Sequence, residues 1–278
     1  MFFLLLAILC SSALAIVMRL SEGHVQSRTC MLAVNYIACM LLSAVFMGFD
    51  LSLGTPGSGT TFGLGIINGF FYVASLLLMQ FNIRKNGVIL PSVFSRLGGL
   101  LVPLAVAICF FGETPTFVQL TGAIIAGLSI IAINSGHRSA SVSSIVSLLS
   151  LLMLDGCAAS MSTVYEQLGS SALASQYLFY TFVTALACCL VLIVKNRERF
   201  GWKEWAYGLG IGIPNFLASR CLLLALESVP AVIVYPTRGV GGILVVSIAG
   251  IFLFRERLSK RQWAAMGAIL IAVALLNI

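Results

Sequence analysis

Charged side chains are scarce in this sequence, and their scarcity excludes an ordinary water-soluble fold. Lysine, arginine, aspartate and glutamate make up 9% of the 278 residues, whereas a typical soluble domain carries about 25%. Hydrophobic residues make up 60%, and the mean hydropathy is +1.07. A fold in water cannot bury that much apolar surface, so we expect the solvent around this chain to be lipid.

Patterns typical of catalysis and metal binding are also missing. The two histidines, His24 and His137, both lie between apolar runs. The sequence contains no GxSxG, HExxH or Walker motif and no CxxC pair. Its eight cysteines lie in or beside apolar runs, where cysteine packs as a small hydrophobic residue. We therefore expect neither an enzyme nor a bound metal or other cofactor.

What the sequence does contain is a series of apolar runs, each close to the roughly 20 residues that a helix needs to cross a membrane. The runs are continuous rather than alternating, which favours helices over a barrel. The first run lacks the basic start of a signal peptide, so we interpret it as a span. The fold prediction is an all-α integral membrane protein with ten transmembrane helices, near residues 2–18, 30–49, 62–82, 87–111, 117–134, 144–166, 173–194, 203–226, 229–254 and 261–278.

Basic residues occupy alternate gaps between these runs. Thirteen lie in odd-numbered gaps and none in even-numbered gaps: Arg19, Arg28, Arg84, Lys85, Arg138, Lys195, Arg197, Arg199, Lys203, Arg255, Arg257, Lys260 and Arg261. Because cytoplasmic loops are enriched in Lys and Arg, we predict a cell-membrane protein with both termini extracytoplasmic. The net charge of +7 thus indicates orientation, since no basic stripe interleaved with aromatics points to nucleic acid.

The two halves of the sequence resemble each other. Gly63-Leu64-Gly65-Ile66 recurs as Gly208-Leu209-Gly210-Ile211, 145 positions later. Further matches at an offset of 143 are Gly98-Gly99 with Gly241-Gly242, Glu113 with Glu256, and Gln119 with Gln262. An odd number of spans in each half gives the halves opposite orientations, so residues 1–138 and 139–278 are predicted to form an inverted repeat. Two such bundles can exchange conformations around a central site.

Each half ends in a similar motif. The first reads Phe110-Phe111-Gly112-Glu113, and the second reads Leu253-Phe254-Arg255-Glu256 with Gln262-Trp263 after it. In these motifs the chain resembles the EamA-like members of the drug/metabolite transporter superfamily, across essentially its full length. The resemblance implies a five-plus-five inverted-repeat carrier that exports or exchanges metabolites or drugs. It also implies a cavity lined mainly by the third, fourth, eighth and ninth helices.

Four ionisable side chains lie inside the predicted spans, where each costs roughly 2.5–3.5 kcal/mol on insertion scales. They are Arg96, Asp155, Arg220 and Arg238. Three arginines against one aspartate leave positive charge that a carboxylate or phosphate on a substrate would balance. The predicted substrate is therefore a small metabolite with an anionic group.

Arg96 and Arg238 occupy similar positions in their spans. Each follows a proline, Pro91 or Pro236, and precedes a Gly-Gly pair, where a helix is able to bend. Each lies about ten residues from a helix start, which corresponds to a depth of roughly 15 Å. Bonds to Asp155 or to backbone carbonyls are the structural alternative to substrate binding.

The other candidate residues also have two interpretations. Arg220 binds substrate, or it reaches the interface or pairs with Glu166 or Glu227. Asp155 binds substrate, or it couples transport to protons, although a neighbouring arginine would keep it ionised. Four polar residues on spans at the implied cavity contact substrate or form interhelical hydrogen bonds: Asn68, Tyr72, Asn215 and Tyr235.

The sequence therefore predicts a secondary transporter of small metabolites that lies in a lipid bilayer and works by alternating access, with a homodimer left open. Two alternatives are kept. One is a multidrug exporter in which the arginines are internal struts. The other is a membrane protein that transports nothing, such as a scramblase or a receptor.

Overall fold

The structure is a computed structural model that describes residues 1–21, 23–51, 54–86, 89–134 and 145–254, with six further residues between 264 and 275. The α-helices of the described ranges are α1 (Phe2–Ser21), α2 (Arg28–Phe46), α3 (Ser58–Asn86), α4 (Ile89–Phe111), α5 (Phe117–Asn134), α6 (Ile145–Leu168), α7 (Ala174–Asn196), α8 (Trp202–Leu226) and α9 (Ala231–Phe254). These nine helices match the first nine predicted spans to within four residues at each end. The predicted span 261–278 lies largely outside the described residues.

Six helices within the described residues are long and apolar enough to cross a membrane: Phe2–Ser21, Arg28–Phe46, Ser58–Met79, Ile145–Leu168, Ser171–Asn196 and Trp202–Leu226. The helices α4, α5 and α9 contain shorter apolar stretches. Large apolar side chains on the helix surfaces are exposed, such as Val194 at 77% and Phe252 at 79%. Exposure of this kind is typical of a lipid-facing surface, and the protein is a multi-pass membrane protein.

The prolines predicted to bend helices differ in their positions. Pro236 lies inside α9, where its missing N–H leaves the Val232 carbonyl without its usual intrahelical donor. Pro91 is the third residue of α4, where a proline interrupts no helical hydrogen bond. Pro91 falls in the first turn of α4 as the structure describes it, so the prediction that it bends its helix stays a prediction.

Contacts divide the chain into two compact units. The first unit contains Met1–Val73 and Val164–Ala225, and the second contains Ala74–Thr163 and Leu226–Ile278. Each unit therefore draws on both halves of the sequence, and the helices α3 and α6 contribute to both units.

In the first unit, glycines on α3 allow close approach to α7. A Cβ atom added at Gly65 would lie 2.7 Å from the Cβ of Tyr180, and one added at Gly69 would lie 2.6 Å from the Cβ of Thr184. Small residues four positions apart let two helix backbones approach closely, a packing that is common in membranes.

The helices α8 and α2 make the same contact. A Cβ atom at Gly208 would lie 2.6 Å from the Cβ of Val34, and one at Gly212 would lie 2.5 Å from the Cβ of Ala38. The glycine pairs are 143 positions apart in the sequence, and their contact residues on α2 and α7 are 146 apart. The contacts thus pair Gly65 with Gly208, two residues away from the Gly63 match that the sequence comparison gives.

In the second unit, α4 and α6 run parallel and very close together. Gly98 of α4 faces the Leu152 carbonyl of α6, and Gly156 of α6 faces the side chain of Val102 on α4. In both contacts the residue on α6 follows its partner on α4 by the same number of positions. This number fixes which residues of the two helices lie at the same level.

The helices α4 and α9 are antiparallel neighbours in the second unit. Leu104 shares a buried cluster with Val232, and Leu100 shares another with Val240. A step forward along α4 therefore corresponds to a step backward along α9. Each cluster also contains an alanine of α5, so α5 packs against the same pair.

Glu113 connects the end of α4 to the start of α9 within the second unit. Gly112 adopts a φ of +68° just after α4, and Glu113 follows it. Its two carboxylate oxygens accept the N–H groups of Ala231 and Val232, each at 2.9 Å. The carboxylate thereby caps the first turn of α9, which is a structural role. Its repeat counterpart, Glu256, lies outside the described residues.

We expect Gly212→Ala to destabilise the protein by about 1–3 kcal/mol, because the new methyl group overlaps Ala38. Gly210→Ala on the same helix is the matched control, since its nearest contact is the Val17 side chain at 3.5 Å. Thermal unfolding in detergent measures both variants. Equal unfolding temperatures for the two would contradict the close contact between α8 and α2.

Candidate functional site

Asp155 lies half-buried on α6 in the second unit, and its described partners are hydroxyl groups. Ser75 of α3 donates a short hydrogen bond to it. Ser95 of α4 is a second hydroxyl neighbour of the carboxylate. Asp155 therefore joins three helices. The predicted partner Arg96 lies on α4, but the structure does not describe its side chain. An ion pair between Arg96 and Asp155 therefore stays a prediction.

Arg238 lies on α9, also half-buried, and it has no hydrogen-bond or ion-pair partner among the residues that the structure describes. It is the eighth residue of the helix, about 10 Å along the axis from Ala231. The predicted depth of about 15 Å was counted from residue 229, two residues before α9 begins. The neighbouring Thr237 is buried, and its hydroxyl has no hydrogen-bond partner in the described part of the chain.

Asp155 and Arg238 lie at about the same level of the second unit. The offset between α4 and α6 places Asp155 level with Leu101. The packing of α4 against α9 places Arg238 within about one helical turn of Leu101 as well. A carboxylate and a guanidinium, both half-buried, thus share one layer of this unit.

Tyr235 is buried three residues before Arg238 and is bonded to α6. Its hydroxyl accepts a hydrogen bond from the Thr163 hydroxyl at 3.0 Å and donates one to the Ala159 carbonyl at 2.8 Å. These bonds make Tyr235 a link between α6 and α9. They match the interhelical alternative given for this residue.

Arg220 lies in the first unit, where it joins three helices. Its guanidinium lies 4.3 Å from the centroid of the Phe46 ring at the end of α2. It also donates a hydrogen bond of 2.6 Å to the Ser175 hydroxyl at the start of α7. The described partners of Arg220 are thus an aromatic ring and a hydroxyl, not the carboxylates considered from the sequence.

The remaining candidates also lie in the first unit. Asn68 donates to the hydroxyl of Tyr177 at 2.8 Å, but its own carbonyl oxygen is buried with no hydrogen-bond partner in the ranges that the structure describes. Asn215 donates to the side-chain oxygen of Asn35 at 3.1 Å, which links α8 to α2. Tyr72 is half-buried on α3.

The eight sequence candidates are therefore divided between the units. Arg96, Asp155, Tyr235 and Arg238 belong to the second unit, and Asn68, Tyr72, Asn215 and Arg220 belong to the first. Among the described residues, no three His, Cys, Asp or Glu side chains are grouped so as to hold a metal ion.

Sequence comparison relates the second half of the chain to a known family. Residues 144–278 match the profile of the EamA-like transporter family. The match covers slightly less than half of the chain. The match confirms the resemblance predicted from the motif at Glu256, and because EamA-like proteins are transporters, it indicates a membrane transporter.

Relatives and a solved structure resemble the chain over different lengths. An uncharacterized protein of Haemophilus influenzae is 22% identical over 274 residues, covering 94% of this chain and 92% of that protein. A probable 4-amino-4-deoxy-L-arabinose-phosphoundecaprenol flippase subunit, ArnE, of Hamiltonella defensa is 29% identical over 110 residues, covering 37% of this chain and 96% of that protein. A crystal structure with 16% identity has a TM-score of 0.78 and covers 100% of this chain and 97% of its own, so the fold is shared.

Sequence reasoning missed the hydroxyl groups around the EamA-like helices α6 and α9. They are Ser75, Ser95, Thr163 and Thr237. Serine and threonine are common in membrane helices, so their presence alone carries little signal. The spacing along α6 could have indicated one of these contacts, because Asp155, Ala159 and Thr163 are four residues apart and lie on one face of the helix.

We expect Tyr235→Phe to lower stability by about 1 kcal/mol, because it removes the hydroxyl that joins Thr163 to Ala159. Tyr180→Phe is the matched control, since the Tyr180 hydroxyl has no hydrogen-bond partner among the described residues. Thermal unfolding in detergent compares the two. Weaker ligand binding by Tyr235→Phe at an unchanged unfolding temperature would contradict the structural role.

Proposed function

We propose that the protein is a secondary transporter that moves a small metabolite with an anionic group across the cell membrane. The observation that carries the proposal is Arg238, a half-buried guanidinium in a membrane helix with no polar partner among the described residues. An arginine in such a position is costly, and this makes a functional role the default interpretation. A carboxylate or phosphate would supply its partner through paired hydrogen bonds.

Asp155 supports a second point of contact with the same substrate. It lies at about the level of Arg238, and two serine hydroxyls hold its carboxylate. An ionised carboxylate has about four acceptor positions, so it keeps the capacity to accept from a substrate. We infer that the transported molecule carries a hydrogen-bond donor beside its anionic group.

Alternating access between two inverted halves is the proposed mechanism. The repeated glycine contacts of α3 with α7 and of α8 with α2 support it, because they relate the two halves contact by contact. The ArnE relative supports it as well, since 96% of that protein aligns with only 37% of this chain. Such an alignment is expected if this chain is built from two similar halves and the relative corresponds to one of them. The proposed halves are residues 1–138 and 139–278.

The arginines separate this proposal from the multidrug alternative, in which all of them are struts. Arg220 does behave as a strut, because a ring and a hydroxyl hold its guanidinium. Arg238 has no such partner among the described residues. Its position favours the metabolite transporter.

A lipid-linked substrate is the second candidate. The ArnE relative is named as a subunit of a flippase for an amino sugar joined through phosphate to a polyprenol. A molecule of that class presents an anionic phosphate and an amino group, which would suit Arg238 and Asp155. The two candidates differ in whether the substrate dissolves in water.

We expect Arg238→Ala to abolish transport of the anionic substrate while the protein still folds. A thermal-shift panel of amino acids, organic acids, sugar phosphates and polyprenyl phosphate first identifies a ligand, because a bound ligand stabilises the folded state. Transport of that ligand is then measured in liposomes. We expect Arg238→Ala to lose at least tenfold in ligand affinity, since a charge-assisted pair contributes about 1.5–3 kcal/mol.

Arg199→Ala, an exposed arginine outside the helices, is the matched control for Arg238→Ala. It should transport at the wild-type rate. Full transport by a folded Arg238→Ala protein would remove the basis of the proposal. If polyprenyl phosphate stabilises the protein and no water-soluble compound does, the lipid-linked candidate replaces the metabolite.

The proposed orientation predicts which loops are reached from outside the cell. In a cysteine-free background, we expect a membrane-impermeant thiol reagent to label Ser170→Cys, between α6 and α7, in intact cells. Arg199→Cys, between α7 and α8, should react only after the cells are lysed. The reverse pattern would place both termini in the cytoplasm.

A further inference from the structure

The segment between α7 and α8 presents an exposed cluster of basic side chains. Lys195 lies in the last turn of α7, Arg197 and Arg199 lie in the segment after it, and Lys203 lies in the first turn of α8. All four side chains are exposed. We call these four residues the basic turn.

The acidic residues of the same segment do not neutralise the basic turn, because both are directed to the start of α2. Glu204 is buried, and its Oε1 atom accepts the N–H groups of Gln26 at 2.7 Å and Ser27 at 3.3 Å. Glu198 accepts a short hydrogen bond from the Ser27 hydroxyl and one of 3.5 Å from the Thr29 hydroxyl. The outer surface of the segment is therefore cationic.

Exposed aromatic side chains accompany the basic turn. Phe200 is 41% exposed, Trp202 is 81% exposed and Trp205 is 41% exposed. The rings of Phe200 and Trp205 are neighbours, with centroids 6.1 Å apart. Tryptophan is enriched where a membrane meets water, so these rings mark the level of the lipid headgroups.

The backbone at Arg197 favours this exposed arrangement. Arg197 is the C-cap of α7, and its φ of 53° lies in the left-handed region where glycine is usual. Its N–H group bonds to the carbonyls of Ile193 and Val194, which closes the helix. The position thus carries an arginine where a residue without a side chain would be less strained.

We propose that the basic turn binds the headgroup of an anionic phospholipid, with the acyl chains against Trp202 and Trp205. Two arginines and two lysines carry the charge opposite to that of a phosphate, and guanidinium groups bind phosphate through paired hydrogen bonds. The aromatic rings match the boundary between headgroup and hydrocarbon. This site does not depend on what the protein transports.

The experiment uses the purified full chain in a neutral detergent. Dioctanoyl phosphatidylglycerol and dioctanoyl phosphatidylcholine are titrated separately, with the unfolding temperature and the lipid adducts in native mass spectrometry as readouts. We expect phosphatidylglycerol to raise the unfolding temperature and to remain bound, and phosphatidylcholine to do neither. Equal effects of the two lipids would overturn the proposal, and so would an equal effect of inorganic phosphate, which would indicate a site for small anions.

Two variants test the residues of the basic turn. Removing the charges of Arg197, Arg199 and Lys203 with glutamine should weaken phosphatidylglycerol binding roughly fivefold for each charge removed. Arg197→Gly should weaken it while leaving the unfolding temperature without lipid unchanged or higher, because glycine suits this backbone. The charge-preserving Arg199→Lys variant is the control and should retain most of the binding. Wild-type binding by the glutamine variant would assign the lipid to another surface.

Discussion

Lipid offers no hydrogen-bond partners, and this constraint governs both the helices and the polar contacts between them. Backbone groups satisfy one another within each helix, so the described elements are long apolar helices. Several polar side chains form hydrogen bonds between helices, as Tyr235 does with Thr163 and Asn215 does with Asn35. The charged Arg238 side chain has no such bond within the described residues, and for that reason it is the residue on which the functional proposal rests.

Close packing at glycines is one of the interactions that hold the helices of the first unit together. Van der Waals contact is the main attraction between helices in lipid, and it grows when backbones approach. Gly65 and Gly69 give α3 this approach to α7, and Gly208 and Gly212 give it to α8 with α2. The same physical solution appears once in each half of the sequence.

Helix positions follow closely from the sequence because a membrane span has a local signal, its apolar length. Contacts between distant residues have no such signal. The glycines at 63, 65 and 69 can be aligned with those at 208, 210 and 212 in two registers. The sequence comparison pairs Gly63 with Gly208, whereas the helix contacts pair Gly65 with Gly208. Phe46 was not considered as a partner for Arg220, because a neutral ring carries no formal charge to suggest it. Asp155 was recognised as important, but its serine partners resemble any other serine in a span.

The capping of α9 by Glu113 limits where an anion gains stabilisation along that helix. The amide groups at a helix start ordinarily attract negative charge, and many proteins bind phosphates there. In this chain the amides of Ala231 and Val232 already hold a carboxylate from the same polypeptide. An incoming anion would meet repulsion at the helix entrance and attraction only at Arg238, deeper along the same helix. This distribution of charge would disfavour binding at the start of the helix and favour binding at one interior position.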